Sequence, residues 1–101
     1  MVDVTDFAAA AIRHLIERNK APDGTGLRIS RGSAGRPLEV RLARTPEPKD
    51  TVVVVAEGVR LFLDATGLSL LDGQLLDVSF GVRGRVEFFT VGARQPIEPG
   101  R

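Results

Sequence analysis

Apolar residues recur at helical spacing near the start of the chain and at strand spacing through most of the rest. Spacings of three and four predict one amphipathic helix within residues 5–20, with its apolar face at Ala8, Ala11, Ile12, Leu15 and Ile16. Thr5 suits the N-cap, and Pro22 cannot continue the helix. We therefore expect a single substantial helix that ends before Pro22.

Strand-like alternation of apolar and polar residues begins after this helix. It predicts strands at residues 27–30, 38–42, 59–63, 76–80 and 86–91. In the first of these, Arg28 and Ser30 take the polar positions. The valine-rich run at 51–56 has no alternation, which favours a strand covered on both faces. Residues 64–73 suit one short helix, with Asp64 as its N-cap and Gly73 at its end.

This order of elements predicts an α+β domain, because it contains no βαβ repeat. We expect antiparallel or mixed sheets with the N-terminal helix over one apolar face. The length of 101 residues and the 43% hydrophobic content fit one globular domain. We expect that domain to cover residues 1–93, and residues 94–101, with two prolines and one glycine, to form a flexible tail.

Charge and cysteine content exclude several classes of function. The net charge of +1 gives no electrostatic reason to expect nucleic acid or an anionic membrane as partner. The sequence has no cysteine, which excludes a disulfide, a thiolate nucleophile, a zinc ribbon and a cysteine-ligated iron–sulfur cluster. Asp3 and Asp6 do not fit a secretory signal, and Arg13 and His14 interrupt the apolar stretch that follows. A cytoplasmic, soluble protein is expected.

Three segments resemble motifs of the HesB/IscA-like family, the A-type carriers of iron–sulfur cluster biogenesis. Residues 24–29 are similar to its Gly-x-Gly-Leu-Arg-Leu strand entry. Residues 57–64 resemble its Gly-Val-x-hydrophobic-x-hydrophobic-Asp strand, and residues 71–77 its Leu-Asp-Gly-x-x-Leu-Asp turn. Residues 5–16 and 46–50 resemble the opening helix and the proline-containing connector. The resemblance covers residues 4 to about 91.

The resemblance implies a compact, β-sandwich-like HesB domain with mixed sheets, an N-terminal helix and a short second helix, often working as a dimer or tetramer. It also implies iron or a cluster carried on three cysteines. Here Ser33 stands at the first cysteine position, and Glu98 and Gly100 lie near the other two. Neutral hydroxyls do not replace three thiolates on iron. The chain thus resembles cysteine-free members of actinobacterial type, and we expect no cofactor.

The expected function is that of a non-enzymatic HesB-like protein, a protein-interaction or regulatory adaptor that acts by binding partner proteins, with a homodimer as one assembly. The alternative is a metal- or cluster-associated assembly factor that uses oxygen ligands such as Asp72 or Glu98, or a partner's cysteines. A small hydrolase has only the loop around Ser33 in its favour. His14 is the one histidine and the only candidate base for Ser33, but it is distant from Ser33 in sequence. We interpret it as a solvated helix residue.

Residues 26–44 contain five arginines and one carboxylate, Glu39, a local charge of +4. One interpretation is a solvated face. The other is a docking patch for an acidic partner protein or an anionic ligand. No aromatic residue lies within it to stack on bases, which argues against nucleic acid. The residues of this predicted arginine patch are Arg28, Arg31, Arg36, Arg41 and Arg44.

Overall fold

The structure is a computed structural model that describes residues 2–35 and 38–91, without the side chain of Glu57. The described residues form seven strands and two α-helices. The strands are β1 (Asp3–Val4), β2 (Gly26–Arg31), β3 (Leu38–Ala43), β4 (Thr51–Val54), β5 (Arg60–Leu63), β6 (Leu75–Phe80) and β7 (Val86–Val91). The helices are α1 (Asp6–Arg18) and α2 (Ala65–Leu71), with single 3-10 turns at Ala56–Gly58 and Val82–Gly84.

The strands form two mixed sheets. The larger has the order β3-β2-β5-β4, in which β2 and β5 are parallel and both outer pairs are antiparallel. The smaller has the order β1-β6-β7, with β1 parallel and β7 antiparallel to β6. The predicted α+β class with mixed sheets and two helices is confirmed. The assignment of residues 1–93 to one domain stays a prediction, and residues 92–101 lie outside the described part.

Helix α1 begins and ends where side chains satisfy its terminal backbone groups. The Oγ1 atom of Thr5 accepts a hydrogen bond from the Ala8 N–H at 3.0 Å, which makes Thr5 the predicted N-cap. At the other end, the side-chain amide of Asn19 donates to the Leu15 carbonyl at 2.7 Å. The small side chains of Ala8 and Ala11 pack against Val78 of β6, so the helix lies close to the smaller sheet.

One hydrophobic core joins both sheets and both helices. Its buried members come from every layer: Val2, Ala9, Ile12, Leu27, Ile29, Val59, Leu61, Leu63, Leu71 and Leu76. Burial of such side chains is the main stabilising contribution in a domain of this size. No helix in the part of the chain that the structure describes is long and apolar enough to span a membrane.

The valine run does not form the strand covered on both faces that its sequence predicts. β4 is an edge strand, with 46% of Val52 and 62% of Val54 exposed. The strand buried on both faces is its neighbour β5, where Leu61, Phe62 and Leu63 are all buried. The prediction was wrong because burial on both faces depends on position in the sheet, which the local pattern does not encode.

Candidate functional site

The loop that follows β2 holds Ser33, the residue that the resemblance places at the first cysteine position. Ser33 is exposed, and Gly35 turns the chain with a φ of +80°. The Asp64 carboxylate anchors the start of this loop, because its Oδ2 accepts the Arg31 N–H at 2.9 Å. Its Oδ1 accepts the Gly67 N–H at 2.8 Å, which confirms Asp64 as the N-cap of α2.

Two opposing effects act on the pKa of Asp64. Burial raises it, because a charged carboxylate loses hydration, whereas the hydrogen bonds from the Arg31 and Gly67 N–H groups lower it. The net result is a pKa below the usual aspartate range. Asp64 is therefore a charged structural link between α2 and the end of β2.

The residues around Ser33 do not fit an iron–sulfur cluster. Soft iron in a cluster is held by thiolates, and this position offers a neutral hydroxyl in a chain without cysteine. Within residues 2–35 and 38–91, no group of three His, Asp or Glu side chains is placed to hold a metal ion. Glu98 and Gly100 lie outside the described residues. We therefore assign no step of cluster chemistry to this loop.

Other candidate ligands lie apart or have structural roles. His14 is exposed on α1, as its spacing predicts. Asp77 accepts hydrogen bonds from the Thr5 hydroxyl and from the Val78 N–H, both at 2.8 Å, and so links β6 to the start of α1. Asp72 is exposed at the C-terminal end of α2.

Arg28 is not a solvent-facing member of the predicted arginine patch. Only 11% of its side chain and 2% of the Asp50 side chain are exposed. The two groups form a bidentate ion pair, with Arg28 Nε 2.8 Å from Asp50 Oδ2 and Arg28 Nη2 2.9 Å from Oδ1. The charge of Arg28 is therefore already paired inside the protein, in a strand where Ser30 is buried as well. A role of Arg28 in partner binding stays a prediction, which this pairing disfavours.

Asp50 occupies this position because the β3–β4 connector turns back on itself. Its Oδ2 also accepts the Glu47 N–H at 2.9 Å, and its own N–H donates to the Glu47 carbonyl at 2.9 Å. The hydrogen bond from Arg28 lowers the pKa of Asp50 below the usual aspartate value, against the opposing effect of burial. The carboxylate is therefore held charged inside the protein.

The other predicted arginines remain near the surface. Arg31 and Arg44 are exposed. Arg41 is half-exposed, and its Nη2 lies 3.9 Å from the Glu47 carboxylate. Arg36 lies outside the described residues. Among the described members, the patch therefore offers Arg31, Arg41 and Arg44, and their role in partner binding stays a prediction.

The residues shared with the family have structural explanations here. A Cβ atom at Gly26 would lie 2.7 Å from the Arg60 carbonyl oxygen and 2.9 Å from the ring of Phe62, so only glycine fits. Gly73 turns the chain after α2 with a φ of +76°. Together with buried Arg28 and the capping Asp64, these positions hold strands and turns in place and offer no reactive group to solvent.

A basic cleft that the sequence pattern does not reveal lies between the end of α1, β3 and the β6–β7 turn. Arg18 at the end of α1 and Arg83 and Arg85 in the β6–β7 turn line a cleft of about 490 Å³. The apolar side of the cleft includes Val40 and Phe88. The arginines are far apart in sequence, and only the packing of α1 beside the β6–β7 hairpin brings them together.

Fold and site together define a small α+β scaffold that carries the family's structural motifs without its thiolate ligands. No protein-family model matches the chain. Two curated relatives from Stenotrophomonas maltophilia, each described as Fe/S biogenesis protein NfuA, are 34% and 33% identical over 88 residues. The aligned region covers 83% of this chain and 44% of each relative, so the chain spans less than half of their length.

Solved structures show the same fold. SufA from Escherichia coli aligns with a TM-score of 0.63 at 23% identity, over 87% of this chain and 83% of that one. A protein from Aquifex aeolicus aligns with a TM-score of 0.71 at 24% identity, over 89% of both chains. IscA with a [2Fe-2S] cluster aligns with a TM-score of 0.58 at 20% identity, over 90% and 81%. The chain belongs to the HesB/IscA-like family.

Proposed function

We propose that this chain is a non-enzymatic, protein-binding member of the iron–sulfur assembly family that holds no cluster through its own side chains. One observation carries the proposal: the motif residues serve packing, turns and an internal ion pair, while the loop position of the first ligand is Ser33. A domain that keeps this fold without the cluster ligands still presents a surface to which partner proteins can bind. The curated relatives are described as Fe/S biogenesis proteins, which supports a partner in iron–sulfur assembly.

The finer parts of the proposal concern the partner and the assembly. We infer an acidic protein partner, since the arginines exposed on the surface outnumber those paired with carboxylates. A regulatory or adaptor role, a homodimer and a cytoplasmic location belong to the same proposal. The alternative, a cluster held between this chain and a partner's cysteines, needs the same protein contact and differs only in whether iron is present in the complex.

Affinity capture with the whole chain as bait tests the proposal. We expect the recovered proteins to be enriched in iron–sulfur proteins or their assembly factors. The matched control is Ile12→Asp, which places a carboxylate in the core and abolishes the folded surface. Equal recovery of these proteins by both baits, or no enrichment with the folded bait, would contradict the proposal. Iron that co-elutes in proportion to the complex would establish the alternative.

A further inference from the structure

The two sheets leave a groove between β3 and β7. Within the described residues, β3 is paired only with β2 and β7 only with β6, so each is the edge strand of its sheet. Two clefts lie between these edges, of about 490 and 420 Å³. Val40 of β3 and Phe88 of β7 line both clefts, so the clefts are adjacent. We call this feature the β3–β7 groove.

The floor of the groove is apolar and accessible. Val40 is 40% exposed, and Phe89 beside it on β7 is 44% exposed. Leu38 and Phe88 are half-buried, pack against the core and line the same cleft. An apolar strip between two strand edges is a surface on which an extended peptide can bury alternate side chains while its backbone pairs with an edge.

One end of the groove is positively charged. Arg18, Arg83 and Arg85 line it, and within residues 2–35 and 38–91 these three side chains have no hydrogen bond or ion pair. By contrast, Arg28 and Arg41 lie within 4 Å of carboxylates. Three arginines with no carboxylate partner in the described part of the chain, at the end of an apolar groove, are suited to bind carboxylates of another molecule.

The backbone of the β6–β7 turn fixes the arginine end in position. Arg83 has a φ of +64°, a left-handed conformation that is uncommon for a residue with a side chain. Hydrogen bonds hold the turn closed, from the Gly81 N–H to the Arg85 carbonyl at 2.7 Å and from the Gly84 N–H to the Gly81 carbonyl at 3.2 Å. The turn therefore holds Arg83 and Arg85 at the mouth of the groove, where no carboxylate of the described residues pairs with them.

We propose that the β3–β7 groove binds an extended acidic segment of a partner protein. Apolar side chains of the segment lie against Val40 and Phe88, and its carboxylates contact Arg18, Arg83 and Arg85. This inference rests on the proposed function, for which it names the chemistry of the partner. The length and apolar floor of the groove favour a peptide over a small anion, which the arginines alone could hold.

The probe is a short, fluorescently labelled peptide that alternates Glu and Val, titrated with the full chain in an anisotropy assay. We expect saturable binding that weakens with added salt, because exposed charge pairs are screened. The same peptide with Lys in place of Glu, and an all-Glu peptide without apolar residues, are both expected to bind at least about tenfold more weakly.

Two matched triple variants locate the site. R18Q/R83Q/R85Q removes the arginines of the groove, and we expect the Kd for the Glu–Val peptide to rise at least about tenfold. K20Q/K49Q/R60Q removes three exposed positive charges outside the groove and outside the predicted arginine patch, and should change the Kd less than about twofold. Amide chemical shifts of the wild-type chain should change along β3 and β7, at the end of α1 and in the β6–β7 turn.

Several results would overturn the inference. These are no binding by the wild-type chain, equal weakening by both triple variants, or shift changes confined to residues outside β3, β7, the end of α1 and the β6–β7 turn. If inorganic phosphate displaces the labelled peptide at the same concentration as unlabelled peptide does, the groove binds small anions and is not a peptide site. If the peptide fails to bind while the whole chain still captures iron–sulfur proteins, the groove is not the binding site for an acidic segment, and the proposed function stands.

Discussion

Arg28 and Asp50 place a full positive and a full negative charge inside the larger sheet. Removing charges from water is costly, and the cost is offset only when geometry is good and the remaining polar atoms are satisfied. Both conditions hold here, since the ion pair is bidentate and Asp50 also accepts the Glu47 N–H. The pair therefore fixes the connector before β4 against the face of β2.

Asp50→Ala should destabilise the chain by about 3–5 kcal/mol, because it leaves the buried Arg28 guanidinium without its counter-charge. That is a large share of the roughly 5–15 kcal/mol that stabilises a typical domain. The measurement is the midpoint of urea unfolding. Glu47→Ala is the matched control and should cost less than about 1 kcal/mol, because its carboxylate is 58% exposed and lies 3.7 Å from Arg28. Similar losses in both variants would contradict the account.

Acid should unfold the chain in part through the same residue. Because the pKa of Asp50 is lower in the folded state than its ordinary value of 3.8, its stabilising contribution is complete above that pH. The contribution is lost as the pH falls through the folded-state pKa. Asp64, whose pKa is also lowered, acts in the same direction. Urea midpoints measured from neutral pH down to about pH 2 should therefore fall steeply in the wild-type chain.

Asp50→Asn is the control for this pH dependence. An amide does not titrate, so the variant should begin less stable at neutral pH and lose less stability in acid than the wild-type chain. The remaining slope belongs to Asp64 and other carboxylates. If stability falls with pH as steeply in Asp50→Asn as in the wild-type chain, protonation of Asp50 does not contribute to unfolding in acid.

Local patterns predict which segments form helices and strands, but not which strands become central in a sheet. Both helices, including the Thr5 and Asp64 caps, lie where hydrophobic spacing and capping residues predict them. The burial of β2 and β5 on both faces could not be predicted, because it follows from the order β3-β2-β5-β4. In alternating strands, Arg28 and Phe62 occupy positions whose exposure depends on what the rest of the chain places over them.

Replacing a residue on each strand distinguishes the central strand from the edge strand. Phe62→Ala should cost about 3–5 kcal/mol, because the ring is 1% exposed and truncation leaves a cavity. Val54→Ala in β4 should cost no more than about 1 kcal/mol, because most of that side chain is already in water. Urea unfolding measures both. A larger loss of stability in Val54→Ala than in Phe62→Ala would support the prediction that the valine run forms the strand covered on both faces.

Helix α2 packs so closely on β2 that it requires a glycine. A Cβ atom at Gly67 would overlap the carbonyl oxygen of Ile29. Alanine is the better helix former by about 1 kcal/mol, yet Gly67→Ala should destabilise the chain by about 1–3 kcal/mol, because backbone must move to admit the methyl group.

Ser69→Ala is the matched control in the same helix. Ser69 is exposed, so alanine there should leave stability within about 0.5 kcal/mol of the wild type or raise it slightly. Thermal unfolding followed by circular dichroism compares the two variants. A gain of stability in Gly67→Ala would mean that helix propensity outweighs the contact with β2.

At the scale of the whole molecule, the chain keeps the family's architecture and lacks its ligands. The motifs at residues 24–29, 57–64 and 71–77 indicate the family from sequence, because glycines, caps and a buried arginine leave a readable pattern. The basic end of the β3–β7 groove leaves none, because Arg18 and the β6–β7 turn meet only after folding. The sequence therefore predicts important residues only at positions where the fold requires a particular residue type.

The most direct test of the central claim is the iron and acid-labile sulfide retained after anaerobic reconstitution. The purified chain is incubated with iron, sulfide and reductant and then desalted, with a cysteine-bearing A-type carrier treated in parallel. We expect this chain to emerge colourless, with iron and sulfide at background, while the carrier retains both. A stable visible chromophore with stoichiometric iron and sulfide on this chain would show that it holds a cluster through its own side chains.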